Sequence, residues 1–115
     1  KKKKYRTPHG RLRSLAQTCC SRARREGREF NLAHLYELAN SPPLKCDCCA
    51  KPFNYTKASY ETREDGPSFD RVDNSKGYVE NNVVIICTRC NMLKKDATIE
   101  EVQNVLRYMR KYMEE

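Results

Sequence analysis

The sequence predicts a small α+β domain, a two-stranded hairpin among helices, held together by a bound metal more than by a large core. Three observations carry this expectation. The chain has 115 residues, room for one domain, and is 38% hydrophobic against 33% charged, so burial alone gives thin stability and a disulfide, a metal or a partner is needed to hold it. Two C-x2-C pairs, Cys46/Cys49 and Cys87/Cys90, bracket the middle of the chain. Between them two β-type runs, Pro67–Val72 and Val83–Ile86, flank the turn Asp73-Asn74-Ser75-Lys76-Gly77, while helical periodicity appears before and after.

The elements follow in order. Thr7-Pro8 reads as a helix start, with Thr as N-cap and Pro in the first turn. Leu12, Leu15, Ala16, Cys19 and Ala23 then recur at helical spacing, and Arg11, Arg13, Arg22, Arg24 and Arg25 fill much of the remaining surface until Gly27 stops the helix. Asn31 caps a short helix carrying Leu32, Leu35, Tyr36 and Leu38, which Asn40-Ser41-Pro42-Pro43 ends. LKCDCCAKPF is a tight cysteine turn, and residues 54–66 form a polar loop without periodicity. After the hairpin a helix starts within CTRCNMLKK. Thr98-Ile99-Glu100-Glu101 is a capping box, and Ile99, Val102, Val105, Leu106, Met109 and Met113 share one face of a last helix, expected to pack into the core. The organisation expected is residues 1–43 as a basic arm with helices and residues 44–115 as a metal-bound core with its C-terminal helix, in one unit.

Charge is unevenly placed. Residues 1–28 carry 11 Lys/Arg and one acid, Glu26, a net of +10, whereas residues 29–115 carry 12 Lys/Arg and 14 acids, a net of −2. A basic arm and first helix are a footprint of nucleic-acid binding; for Lys1–Lys4 a solvated tail is an equal reading. The longest apolar run, Val83-Val84-Ile85-Ile86-Cys87, is far too short to cross a bilayer, and the opening lysines are not followed by an apolar stretch. The expectation is no membrane partner and a soluble, reducing, cytoplasmic setting, in which seven cysteines bind metal more readily than they form disulfides.

Each C-x2-C loop brings two thiolates to one ion at about 2.3 Å, and two loops complete a tetrahedral shell with no open position. Cys46, Cys49, Cys87 and Cys90 are therefore expected to hold a structural Zn2+. A disulfide framework using six of the seven cysteines is the alternative. Cys48 competes for one place but is badly spaced relative to Cys49; Cys19 fits the apolar stripe of the first helix as a buried thiol, and Cys20 is ambiguous.

The order C-x2-C, a strand with Asp-Arg, a turn, an Asn, a strand and C-x2-C-N-x2-K resembles the HNH endonucleases. More narrowly, SFDRVDNSKGYVENNVVIICTRCNMLKKDAT is similar to the Asp-Arg branch of small phage-type members, and SRARREGREFNLAHLYEL to the helix and lead-in they carry; the likeness covers roughly residues 11–110. It implies a ββα-metal core flanked by helices, one catalytic divalent ion (Mg2+ or Mn2+), and hydrolysis of phosphodiester bonds in double-stranded DNA. One such site cuts one strand, so double-strand cleavage would call for a homodimer. The resemblance casts Asp70 and Asn91 as ligands of the catalytic ion and Asn82 as the residue that fixes the inter-strand loop. Lys94, on the same helix face as Asn91, becomes a phosphate contact beside Arg11, Arg13, Arg22, Arg24 and Arg25. Arg71 stands where most members have a histidine base, and a guanidinium does not deprotonate; the expectation is that it grips phosphate in a bidentate fork. The base is then another residue or a metal-activated water, with Tyr78 and Tyr108 as candidate phenols. His9 and His34 read as surface or capping residues. The alternative function is a non-catalytic DNA-binding zinc module that kept the fold and lost the base.

Overall fold

The computed structural model describes residues 7–56 and 64–113. Lys1–Lys4 and part of the 54–66 loop lie outside the described residues.

Thr7 is extended and its side chain accepts from the Gly10 N–H, so α1 (Pro8–Arg25) starts at a capped proline, an arrangement that stabilises a helix start by about 1 kcal/mol. The chain leaves α1 through Gly27 at φ +73°, where a Cβ would be strained. Asn31 accepts from the His34 N–H to open α2 (Leu32–Ala39), which lies along α1. β1 (Pro67–Arg71) and β2 (Val83–Cys87) pair antiparallel, with Phe69 opposite Ile85, Asp70 opposite Val84 and Arg71 opposite Val83. α3 (Thr88–Lys94) follows β2 with no linker, and α4 (Ile99–Met113) closes the described chain.

The two faces of the hairpin serve two clusters. Phe69, Val83 and Ile85 pack against Leu12, Ala16, Cys20 and Leu35 of α1 and α2. Leu12 and Leu35 are wholly buried, each contributing roughly 1.5–3 kcal/mol. On the opposite face Ile86 joins Cys46, Cys87 and Cys90, with Phe53 and Val84 beside them. Period-two alternation puts Ser68 and Asp70 on that second face as well. The fold expected from the sequence, a small α+β core of two strands and a helix beside a four-cysteine cluster, flanked by helices, is the fold observed.

Two placements differ from expectation. α4 has its capping box, with Thr98 N–H donating to Glu101 Oε1 at 2.8 Å and Glu101 N–H to Thr98 Oγ1 at 3.1 Å. Yet none of its residues is buried, and Ile99 is 79% and Leu106 46% exposed. The stripe expected in the core faces outward, because amphipathic spacing fixes which side of a helix is apolar and not what covers it. Arg11, expected on the surface, is buried at 4% exposure; it lies beside Leu12 on the flank of α1 that the fold covers.

The inter-strand loop is tied back to the start of α2. Tyr78 N–H donates to the Glu29 carbonyl at 3.2 Å and Asn31 N–H to the Tyr78 carbonyl at 2.8 Å, a short parallel bridge. A Cβ on Gly77 would fall 1.9 Å from the Glu29 carbonyl oxygen. Gly77→Ala is therefore expected to destabilise the fold by about 2–3 kcal/mol, the upper part of the range for overpacking, read as a lowered urea midpoint. An unchanged midpoint would mean that the loop does not lie against residues 29–31.

Candidate active site and metal centre

Cys46, Cys49, Cys87 and Cys90 place their sulfurs within 4.8 Å of one another. Cys49 and Cys87 sulfurs stand 3.8 Å apart, the edge of a tetrahedron whose metal–sulfur bonds are roughly 2.3 Å. Backbone N–H groups already point at these sulfurs: Cys48 N and Cys87 N lie 3.3 and 3.2 Å from Cys46 Sγ, and Cys90 N lies 3.4 Å from Cys87 Sγ. Burial works to raise the Cys46 thiol, but the amides of Cys49, Cys87 and Cys48 outweigh it and bring it down to about 6. Burial, with neighbouring thiols, pushes Cys87 and Cys90 up. Soft, tetrahedral and closed, the donor set fits Zn2+. Cys48 stands outside the cluster and is exposed.

Cys87 has three duties. It ends β2, its side chain caps α3 by accepting from the Cys90 N–H, and its sulfur belongs to the cluster. The direction of α3 from β2 is thereby fixed, and α3 lays Asn91 over β1. Asn91 Nδ2 donates to Ser68 Oγ at 3.0 Å, while Ser68 Oγ donates its only proton to the Ile86 carbonyl at 2.9 Å. The amide's NH2 must therefore face Ser68, which turns its carbonyl oxygen the other way. One turn on, Lys94 Nζ reaches Asp70 Oδ1 at 3.2 Å and the Arg71 carbonyl at 3.1 Å. Lys94, expected on phosphate, is committed here to Asp70, whose side chain is only 8% exposed.

The loop between the strands is clamped from both sides. Asn82, buried, accepts from the Asp73 N–H at 2.8 Å and donates to the carbonyls of Asp73 and Gly77 at 3.1 and 2.9 Å. Arg71 donates through Nη1 to the carbonyls of Asn74 and Lys76, at 2.9 and 3.1 Å, and its guanidinium lies over the Tyr78 ring at 5.7 Å. Among the described residues its Nη2 and Nε have no protein acceptor. Asn74 in turn donates to the Lys95 carbonyl at 3.1 Å, tying the loop to the end of α3.

These elements enclose a groove of about 480 Å3 between α1 and α3. Asp70, Arg71, Tyr78 and Asn91 line it together with Arg22 and Cys19. The Tyr78 hydroxyl meets Arg22 and Cys19, and burial drives the phenol up more than Arg22 brings it down. Tyr108 is remote from this set: it is exposed on α4, its ring against Tyr112. Neither histidine lines the groove; His9 Nε2 meets Asn40 Oδ1 and His34 pairs with Glu37. Of the arginines, Arg24 and Arg25 are exposed, while Arg13 stacks on the Tyr36 ring at 3.8 Å. Sequence reasoning missed Ser68 and Asn74. Ser68 had one available signal: it sits two residues before Asp70 and so on the same strand face.

No family model matches the chain, and no curated protein matches it. Among solved structures, the rare-cutting HNH restriction endonuclease PacI is similar in fold. The match covers 81% of this chain and 71% of that one, with a TM-score of 0.56 at 21% identity. No described helix is long and apolar enough to cross a membrane.

The metal centre makes a direct prediction. Purified protein should carry one zinc per chain; Cys48→Ser should keep it, and Cys87→Ser should lose both metal and fold, since it removes a ligand, even though a serine hydroxyl can still cap α3. Because bound thiols are deprotonated, zinc affinity in a chelator competition should fall as pH is lowered. A folded, zinc-free Cys87→Ser protein would remove this assignment.

Proposed function

We propose that the groove between α1 and α3 is the active site of a divalent-metal-dependent endonuclease that hydrolyses phosphodiester bonds in double-stranded DNA. One observation carries this reading: a carboxylate with 8% exposure, Asp70, lines one groove with the Asn91 amide and two guanidinium groups, Arg22 and Arg71. A buried acid facing an opening and surrounded by donors suits a cation and a phosphate better than it suits a core. The oxygens of Asp70 and Asn91 are hard donors, appropriate to Mg2+ or Mn2+. When bound, such an ion stabilises charge on the reacting phosphate and acidifies water.

The chain's own residues supply the rest. Asp70 and Asn91 hold the ion, each oriented by a neighbour, Lys94 and Ser68. Arg71 presents its remaining N–H groups to the phosphate while Nη1 holds the loop. Tyr78, kept neutral by burial, donates a proton-bearing hydroxyl and is no base. Asn82 fixes the loop that carries these groups. Arg22, Arg24 and Arg25, at the last turns of α1, track the phosphate backbone, a contact that carries affinity without sequence preference. The zinc site is structural, and a reducing compartment keeps its thiols available. A single groove cuts one strand, so nicking is the activity expected of one chain.

Supercoiled plasmid incubated with the zinc-loaded protein should be nicked with Mg2+ or Mn2+ and not without. Asp70→Ala should abolish scission and keep zinc, fold and DNA binding. Arg71→Ala should lower the rate by about 2–4 kcal/mol of transition-state stabilisation, and Arg71→Lys should recover part of it. DNA binding without scission under any divalent ion would assign the chain instead to a non-catalytic DNA-binding zinc module. Reversing Arg22, Arg24 and Arg25 to Glu should weaken binding to unrelated duplexes about equally and flatten its salt dependence. Unchanged binding would return these arginines to a solvated face.

A further inference from the structure

Among the described residues that line the groove, Asp70 is the one carboxylate, and Arg22, Arg71 and Lys95 line it as cations. The charge of Asp70 is also met from outside the groove. Lys94 Nζ lies 3.2 Å from Asp70 Oδ1 and is held there by a second bond, 3.1 Å to the Arg71 carbonyl. Lys94 does not itself line the groove; it lines a separate cleft, beside Cys90, Leu93 and Ala97. An ion entering the groove therefore does not have to push this ammonium aside, but it does have to bind next to its charge. Asp73, the next acid along the chain, does not make up the deficit. Its Oδ1 accepts from the N–H and the hydroxyl of Ser75, at 2.9 and 2.7 Å, and it is not part of the groove lining.

This charge balance limits what the site can hold. Mg2+ is gathered by negative oxygens, one or two carboxylates completed by substrate phosphate. Here the single carboxylate is already balanced by an ammonium, the other oxygen donor, Asn91, is neutral, and cations surround both. A divalent ion meets little net attraction in the free protein. A phosphodiester brings the missing negative charge, and the guanidinium groups of Arg22 and Arg71 favour its entry.

We propose that Lys94 makes metal loading depend on DNA: by balancing Asp70 it keeps the free protein from holding a divalent ion, so that ion and DNA phosphate enter the groove as a pair. The inference rests on the nuclease reading and adds to it a control over when the metal is bound. Such coupling is reciprocal, the ion raising affinity for DNA by the same factor as DNA raises affinity for the ion.

Mn2+ titrations of the zinc-loaded protein, followed by the electron paramagnetic resonance of free Mn2+, test this without a measurement of cleavage. Binding is counted as the excess over Asp70→Asn, which subtracts ions held by other acids or by DNA, and zinc content and unfolding midpoint report the fold of each variant. In the absence of DNA, Lys94→Met should bind Mn2+ at least tenfold more tightly than the parent chain, and Lys94→Arg, which keeps the charge, no more tightly. A Lys94 that served only to orient Asp70 would make Lys94→Met bind more weakly, and that result would overturn the proposal. A short duplex should raise the Mn2+ affinity of the parent chain at least tenfold, a comparison that decides the matter even where Lys94→Met does not fold. Mn2+ held equally well without duplex, by protein that still nicks plasmid, would overturn this proposal alone. Mn2+ held neither with nor without duplex would remove the oxygen site and the nuclease reading together.

Discussion

The geometry of the groove depends on one sulfur. Cys87 is the last residue of β2, the cap of α3 and a member of the four-cysteine cluster. A strand that runs straight into a helix normally has freedom at the junction. Here the sulfur that accepts the Cys90 N–H is also held by the 46–49 turn, so the angle is set from both sides. Whatever α3 carries is delivered to a fixed place over β1: Asn91 onto Ser68, Lys94 onto Asp70. The polar composition explains why a cluster suited to a metal has this duty. With Leu12 and Leu35 the only large side chains wholly buried among the described residues, packing alone would not hold a seven-residue helix in position.

The second constraint is the buried charge. Asp70 is withdrawn from water and meets a single ammonium, with the neighbouring Arg71 carbonyl sharing that ammonium. A pair of this sort rarely stabilises a fold more than an apolar pair of the same volume would. Keeping it inside a small core is therefore an expense that a functional cation site explains and a purely structural hairpin does not. Arg71 points the same way. One of its nitrogens closes the loop and, with Arg71 lining the groove, the same guanidinium can order the loop and meet an anion. Replacing it with lysine would remove that division of labour, since Nη1 alone holds the Asn74 and Lys76 carbonyls and an ammonium has no second nitrogen left to meet an anion.

Much of this was legible in the sequence wherever the signal was local or periodic. Thr7, Asn31 and Thr98 cap the helices they were expected to cap because capping is decided within one turn. The cysteine pairs found each other because the C-x2-C spacing suits one ion, and the strands paired as their apolar alternation required. What escaped was decided by distant neighbours. Gly77 matters because the Glu29 carbonyl passes beside it, and nothing near Gly77 in the chain announces that. Arg11 is buried by elements that the helical wheel of α1 does not show. The stripe on α4 was read as core because an apolar face must be covered, and the fold as described does not cover it.

The four-cysteine cluster and the proposed oxygen site are separated by chemistry more than by distance. Cys90 and Asn91 are consecutive on α3 and so point about 100° apart around it, one toward soft thiolates behind β2, the other toward the Asp70 side. Four thiolates select zinc and discriminate against Mg2+, while a carboxylate and an amide oxygen do the reverse. A strong chelator acts on both, and stripping the thiolate site releases α3 and with it Asn91 and Lys94. Loss of activity in a chelator therefore carries no information about the oxygen site unless zinc is measured in the same sample. Withdrawing Mg2+ at constant zinc isolates the groove, because the element that builds the groove is then still locked in place by Cys87.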